Sequence, residues 1–414
     1  MESNLDLNRA IPVLDWAPHL ASRTESMKSS AIRELLKLTQ DPDVISFAGG
    51  LPAPDFFPLR EIEEACRYII REDGARALQY GATEGFGPLK EYLATTMHKY
   101  GVPAVPGNLL LTNGSQQALD LIGKLFINPG DYILTGRPTY LGAIQAWNAY
   151  QARYHTVRLD DDGMVVDEME HAYEKVLADS GEPPKFIYVL PNFHNPAGTT
   201  MPLERRKRLA EVATRLDLPV VEDDPYGQLR YEGEDIPPIG TFIPERTIYL
   251  GTFSKIMSPG LRLGWIVCPE VLMQRFVQAK QGADLHTSSF VQYIANDICQ
   301  RGLIKPHVKR LCDAYRERRD TMLDALAEFW PDGSSWTRPQ GGLFLWARVP
   351  EPIDTLEFSK EIVAEKVAYV AGVHFYPNQD GGHNAMRLNF SYCPPDVIVE
   401  GIRRLGMVLK RALR

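Results

Sequence analysis

The chain has 414 residues, 44% apolar and 24% charged, the balance of a folded globular protein long enough for two domains. A net charge of −8 without a long basic block argues against nucleic-acid binding by bulk electrostatics. No run of about 18 apolar residues is present, which argues against a membrane-spanning helix. The five cysteines are scattered with no CxxC pair, which points to a reducing compartment and away from a metal site. The first residues, "MESNLDLNRAIPVLDW", lack the basic start and apolar core of a secretory signal, so a cytoplasmic enzyme is expected.

In chain order, residues 1–60 are expected to form an N-terminal arm and part of a small domain, with the helical pattern "SSAIRELLKLTQ" packing on the last third of the chain. Residues 61–300 read as a large domain. Short apolar runs recur there: "LLLT" (109–112), "YILT" (132–135), "FIYVL" (186–190), "PVVED" (219–223), "TIYLG" (247–251) and "LGWIVC" (263–268). Each is too short for a helix and is bounded by Gly, Pro, Asn or Asp. Between them lie amphipathic helical patterns such as Ser115–Ile127 and "PLERRKRLAEVATRL" (202–216). Continuous apolar strands alternating with helices predict a mostly parallel sheet buried on both faces, an α/β fold. Residues 301–414 change pattern: one long helix through "VKRLCDAYRERRDTMLDALAEF", then strands "GGLFLWARV" and "MRLNFSY", a smaller α+β domain. "RLDDDG" (158–163) reads as a solvated turn and "RERRD" as a solvated helix face.

Ligands of open α/β sheets sit beyond the carboxyl ends of the strands, and the residues that follow the strands are polar. "NGSQQA" opens a helix after "LLLT", so free backbone N–H groups with Ser115 and Gln116 can take an anion, or Ser115 can simply cap the helix. "PNFHNPAG" follows "FIYVL", and "PVVED" runs into "DDPYG", which offers Asp223 and Tyr226. Glu222 and Asp224 read as supporting or capping groups, and His194 and His286 as structural. "TFSKIMSPGLRLGW" then supplies Lys255, either a phosphate ligand or a Schiff-base amine, and Arg262, whose planar fork suits phosphate. An anion pocket, a carboxylate for a ring nitrogen, a phenol, a lysine and an arginine are together what pyridoxal 5'-phosphate requires. No His or Asp arrives at metal-ligand spacing, so no metal is expected.

Eleven segments in order, among them "ISFAGGLPAPDFFP", "LQYGATEGFGPLKEYL", "TNGSQQALDL", "RPTYLGAIQA", "NFHNPAGTTMP", "VVEDDPYGQLRY", "TFSKIMSPGLRLGW" and "MRLNFSY", carry a family resemblance. The chain resembles the fold-type I pyridoxal-phosphate aminotransferases of class I/II, in the 2-aminoadipate and kynurenine aminotransferase-like group. The resemblance implies an aspartate aminotransferase-like fold, with a large domain built on a seven-stranded type of sheet between helices. It further implies that Lys255 bonds the cofactor aldehyde and that Asp223 faces the pyridine nitrogen. Tyr226 and Asn195 would meet the ring hydroxyl, and Tyr140 would stack on the ring. Ser115, Gln116, Thr252 and Arg262 would contact the phosphate, with Tyr80 reaching it from the neighbouring subunit of a homodimer. Arg387 would bind the substrate α-carboxylate near Gly50, with Asn195 also on the substrate side, and Arg33 a distal carboxylate. "YGATEG" departs from the family's more usual pattern after Tyr80.

The implied reaction is ping-pong transfer of an amino group from an L-amino acid (2-aminoadipate, leucine, aromatic or similar) to a 2-oxo acid such as 2-oxoglutarate. Asp223, Tyr226 and Lys255 are the catalytic candidates. Alternatives on the same scaffold are β-elimination, as in a C–S lyase, or a non-catalytic effector-sensing domain.

Overall fold

The apolar runs form strands because aliphatic and β-branched residues follow one another, with charges only at the end of "PVVED", and turn residues close each run. The computed structural model describes residues 14–27 and 43–414; Arg33 and "SSAIRELLKLTQ" lie outside the described residues. Strand β1 is Ile45–Ser46. Strands β2 (Leu109–Thr112), β3 (Tyr132–Arg137), β4 (Arg153–Asp160), β5 (Gly163–Met164), β6 (Ile187–Val189), β7 (Val220–Asp223), β8 (Thr247–Thr252) and β9 (Gly264–Val267) follow. From β2 onward they form one eight-stranded sheet in the order β2-β9-β8-β7-β6-β3-β4-β5. Pairing is parallel from β8 through β4, while β9 runs antiparallel to both β2 and β8.

The sheet is one strand wider than the seven-stranded type. The chain turns back after Asp160 through Gly163, whose φ of 86° suits glycine, and β5 pairs antiparallel with β4. Strand β4, "RYHTVRLD", contains no continuous apolar run. That strand lies near the sheet edge and mixes buried Tyr154 and Val157 with exposed Arg153, Arg158 and Asp160.

Helices cover both faces. They are α1 (Leu59–Ala77), α2 (Gly87–Lys99), α3 (Ser115–Phe126), α4 (Leu141–Asn148), α5 (Met169–Ser180), α6 (Leu203–Arg215), α7 (Glu270–Asp284) and α8 (Ser289–Gln300). Strand alternation divides the core. Val221 and Tyr188 pack with Leu119 of α3, Trp147 of α4 and Phe276 of α7, whereas Val220 and Ile187 pack with Val176 of α5 and Leu209 and Val212 of α6.

The last third carries α9 (Ile304–Phe329), β10 (Ser335–Trp336), β11 (Phe344–Arg348), α10 (Thr355–Ala364), β12 (Val367–Ala368), β13 (Val370–Ala371), β14 (Ala385–Asn389) and α11 (Pro395–Ala412). A four-stranded antiparallel sheet runs β10-β11-β14-β13, and β1 pairs in parallel with β12. The Phe47 N–H donates to the Ala368 carbonyl and the Phe47 carbonyl accepts from Asn389, so the segment at 45–47 is stitched into this region. One expectation fails here: "RERRD" is not a solvated face throughout. Arg318 and Arg319 are buried, Arg318 donating to the Tyr392 carbonyl at 3.2 Å and Arg319 to the Pro339 carbonyl at 2.8 Å. A helix of 26 residues packed by its neighbours on several sides needs partners for such cations; loop carbonyls supply them for both, and Glu232 and Asp320 pair with Arg319 as well.

Candidate active site

Strands β6, β7 and β8 are parallel, and β2 shares their direction because β9 reverses twice between β2 and β8. Their carboxyl ends therefore open on one edge. A cavity of about 310 Å³ lies there, and among the described residues every catalytic, cofactor-binding or substrate-binding candidate lines it except Tyr80. A second cavity of about 310 Å³, lined by Asp224, Arg230, Tyr249 and Trp265 among others, adjoins it across Pro225 and Thr252. Volume does not separate the two; the side chains do, because Lys255, Asp223 and Arg387 all belong to the first.

One end of the cavity is made by the start of α3. Gly114 is the N-cap, at φ 72°, and Ser115 is the first helical residue, with no side-chain capping hydrogen bond. The capping alternative for Ser115 is therefore replaced: the backbone of Gly114 makes the turn and the Ser115 side chain stands on the cavity wall. Orphan N–H groups at such a start attract anions. Gln116 donates to the Gly142 carbonyl at 3.0 Å, tying α3 to α4. Arg262, in left-handed backbone, is held by the carbonyls of Asn113 at 3.2 Å and Pro259 at 3.3 Å; among the described residues no carboxylate pairs with it. Thr252 donates to the Leu263 carbonyl and accepts from the Ser254 N–H at 3.1 Å, fixing the turn into Lys255.

At the opposite wall, strand alternation sends Glu222 and Asp223 to opposite sides of β7. Glu222 turns away from the cavity and accepts from the N–H groups of Ile239 and Gly240, both at 2.9 Å. Asp223 is 2% exposed. Its Oδ2 accepts from the Tyr188 hydroxyl at 2.8 Å, and its Oδ1 is buried with no partner. Burial pushes its carboxyl up to about 7, against the opposing donation from Tyr188. Beside it Asn195 donates to the Tyr226 hydroxyl at 3.3 Å, and Tyr140 stands at the start of α4. Burial pushes the Tyr140 phenol up to about 12 and that of Tyr226 well above its usual range, so both stay protonated.

Lys255 follows β8 and donates to the Gly50 carbonyl at 2.8 Å. Burial first, then the Arg387 and Arg262 cations, lower its ammonium to about 8. Arg387 sits in the middle of β14, 1% exposed, with Phe344 at 4.2 Å and Phe375 at 5.1 Å from its guanidinium carbon. It donates to Asn195 Oδ1 at 3.0 Å and to the Ala48 carbonyl at 2.5 Å, while its Nε has no partner. Desolvation lowers it to about 10.

Tyr80 is 79% exposed, its ring edge-on to His286 at 5.8 Å, and lies outside the cavity of its own chain. His194 is buried and accepts from the Ala197 N–H, with burial lowering its imidazole to about 3, a structural histidine. Sequence reasoning missed Tyr188, the direct partner of Asp223, because its phenol lies inside the apolar run "FIYVL". It also missed Ser254, whose hydroxyl lies 3.0 Å from that of Thr252. No group of three His, Cys, Asp or Glu among the described residues is placed to hold a metal ion.

The family model for aminotransferase class I and II matches residues 43–405. The aromatic-amino-acid aminotransferase 1 of Thermococcus litoralis is 46% identical over 100% of this chain and 99% of its own. Among solved structures, Pyrococcus horikoshii kynurenine aminotransferase in complex with PMP superposes with a TM-score of 0.92 at 44% identity, covering 97% of this chain and 99% of that one. An alpha-aminoadipate aminotransferase from Thermus thermophilus, complexed with N-(5'-phosphopyridoxyl)-L-leucine, gives 0.89 at 39% identity over 97% and 99%. With its lysine, aspartate and two arginines gathered at one sheet edge, the chain belongs to the aminotransferase class I and II family and is a pyridoxal-phosphate-dependent transaminase.

Proposed function

We propose that the cavity at the carboxyl edge of the large sheet holds pyridoxal 5'-phosphate and serves both halves of a ping-pong transfer from an L-amino acid to a 2-oxo acid such as 2-oxoglutarate. The observation that carries this reading is Asp223: a buried carboxylate with one oxygen bonded to Tyr188 and the other bare, in the same cavity as Lys255. A protonated ring nitrogen is the partner that such an oxygen lacks. The cofactor supplies an aldehyde and an electron-accepting ring.

The protein's residues do the rest. The α3 N-terminus with Ser115, Gln116, Thr252 and Arg262 takes the phosphate. Tyr140 covers one ring face, and Tyr226 and Asn195 meet the ring hydroxyl. Arg387 takes the substrate α-carboxylate, which meets its bare Nε and orients the Cα–H bond, with Gly50 alongside. Lys255 Nζ would take the proton from substrate Cα and deliver it to the carbon that the cofactor contributes as its aldehyde, and a value near 8 suits a base working close to neutral pH.

Amino-acid substrates of the aromatic, kynurenine and 2-aminoadipate kind fit the names of the relatives, with Arg33 assigned to a distal carboxylate. We assign the working form as a homodimer in which Tyr80 serves the partner's site; the exposure of Tyr80, with Leu78 and Leu59 at 68% and 66%, supports it. No helix among the described residues is long and apolar enough to cross a membrane. Five free thiols favour a cytoplasmic setting.

Lys255→Ala tests the reading. It is expected to abolish the visible absorbance of the lysine-bound cofactor together with turnover; retained turnover refutes the assignment.

A further inference from the structure

Tyr188 has a single hydroxyl, and the structure commits it to one atom. On the parallel β6–β7 pair Tyr188 is in register with Val221, two residues before Asp223 and therefore on the same face of the sheet. The hydroxyl donates to Asp223 Oδ2 at 2.8 Å. Both side chains are buried, at 1% and 2% exposure. The phenol ring is clamped edge-to-face by Trp147, centroids 4.9 Å apart at 89°, and Trp147 in turn donates to the Leu119 carbonyl of α3 at 2.9 Å. The helix that presents its N-terminus to the cavity thus also braces the residue behind Asp223.

We propose that Tyr188 is the positioning residue for Asp223: it occupies Oδ2, aims Oδ1 into the cavity, and holds the carboxylate in its ionised form. The inference rests on the pyridoxal-phosphate reading given above. A phenol that donates to a carboxylate stabilises the anion over the acid. A ring nitrogen facing Oδ1 can share its proton in two ways, as an N–H⁺ and carboxylate pair or as a bare nitrogen and carboxylic acid. The Tyr188 donor favours the first, the form in which the ring withdraws electrons from substrate. Tyr188 does not line the cavity and acts only through Asp223.

The experiment uses holoenzyme, wild type and Tyr188→Phe, each loaded with pyridoxal 5'-phosphate labelled with ¹⁵N in the ring. The ¹⁵N chemical shift is followed against pH and the cofactor dissociation constant is measured beside it. Expected in Tyr188→Phe are a shift towards the neutral-pyridine position, cofactor binding weakened about ten-fold, the scale of one hydrogen bond to a charged group, and a lower kcat with KM unchanged. Site-specific 3-fluorotyrosine at position 188, a stronger donor of nearly the same shape, is expected to move the signal the other way. It keeps the test open if Tyr188→Phe folds poorly. A ¹⁵N signal that neither replacement moves overturns the inference, since a packing role alone predicts that result. Failure of the wild type to bind the cofactor at all overturns the reading of the site instead.

Discussion

Replacing Asp223 by asparagine separates what the carboxylate costs the fold from what it does for the reaction. Asp223 is 2% exposed, and burial raises its carboxyl from the aspartate value of 3.8 to about 7. The native state therefore holds a proton between those values that the unfolded chain has released. Because the folded state binds more protons, stability from this site is full below 3.8, declines as pH rises, and is lost above about 7. At about 1.4 kcal/mol per pH unit, a shift of about three units amounts to roughly 4 kcal/mol across the window. Asparagine does not titrate, so the decline disappears in the variant. The baseline of the variant also changes, because the new amide brings a buried donor. The informative quantity is therefore the pH dependence of the difference, not its value at one pH.

The assay is urea unfolding of the cofactor-free protein at pH 5, 6, 7 and 8, wild type against Asp223→Asn. The variant is expected to gain on the wild type by about 2 kcal/mol between pH 5 and pH 7 and to level off by pH 8. Turnover of the loaded variant should fall steeply at every pH, since the amide neither carries charge nor fixes a ring proton. A stability difference that stays flat with pH refutes the claim that Asp223 is held as a costly buried acid.

Two other substitutions test the ends of the cavity. Arg387→Lys keeps charge but loses the planar fork stacked between Phe344 and Phe375; kcat/KM for an amino acid is expected to fall about 100-fold. A carboxylate-free amine of the same side chain should be affected little, and equal losses for both would rule out the carboxylate role. At Gly114 a Cβ would meet Arg262 Nη2 at 2.8 Å on a backbone with φ 72°. Gly114→Ala is therefore expected to lower stability by about 1–2 kcal/mol and to weaken cofactor binding as Arg262 is displaced. Thermal unfolding and a cofactor titration measure the two effects, and an unchanged titration refutes the role given to this turn.

What could be read from the chain follows from where each signal is stored. Runs such as "LLLT" and "TIYLG" announce buried strands because every residue is apolar or β-branched, and the polar clusters after them mark one edge once the strands are taken as parallel. Strand β4 was not legible: "RYHTVRLD" alternates as a partly exposed strand does and contains no continuous run. The partnership of Tyr188 with Asp223 was not legible either, because it depends on the register of β6 against β7, which local sequence does not state. Arg318 and Arg319 look solvated beside Glu317 and Asp320, and only the packing around α9 turns them inward. Tyr80 carried a family signal, but its exposure acquires meaning only with a second subunit.

Two sets of buried charges in this protein differ in how far they are satisfied. Lys280 on α7 is fully buried, yet its ammonium reaches Gln117 Oε1 at 2.8 Å and the two oxygens of Asp284 at 2.9 and 2.8 Å; Asp284 also accepts from Asn113 and Gln117. That network closes on itself and anchors the Asn113 turn beneath the cavity. The cavity's own ions do not close. Asp223 Oδ1 and Arg387 Nε lack partners, and Lys255 has a carbonyl rather than a carboxylate. Each is pushed toward its neutral form, Asp223 up to about 7, Lys255 down to about 8 and Arg387 down to about 10. A fold that satisfies Lys280 so completely has the means to satisfy these groups too. Their unmet valences match the ring nitrogen, aldehyde and carboxylate of the chemistry proposed here, so cofactor and substrate add the interactions that the fold itself leaves out.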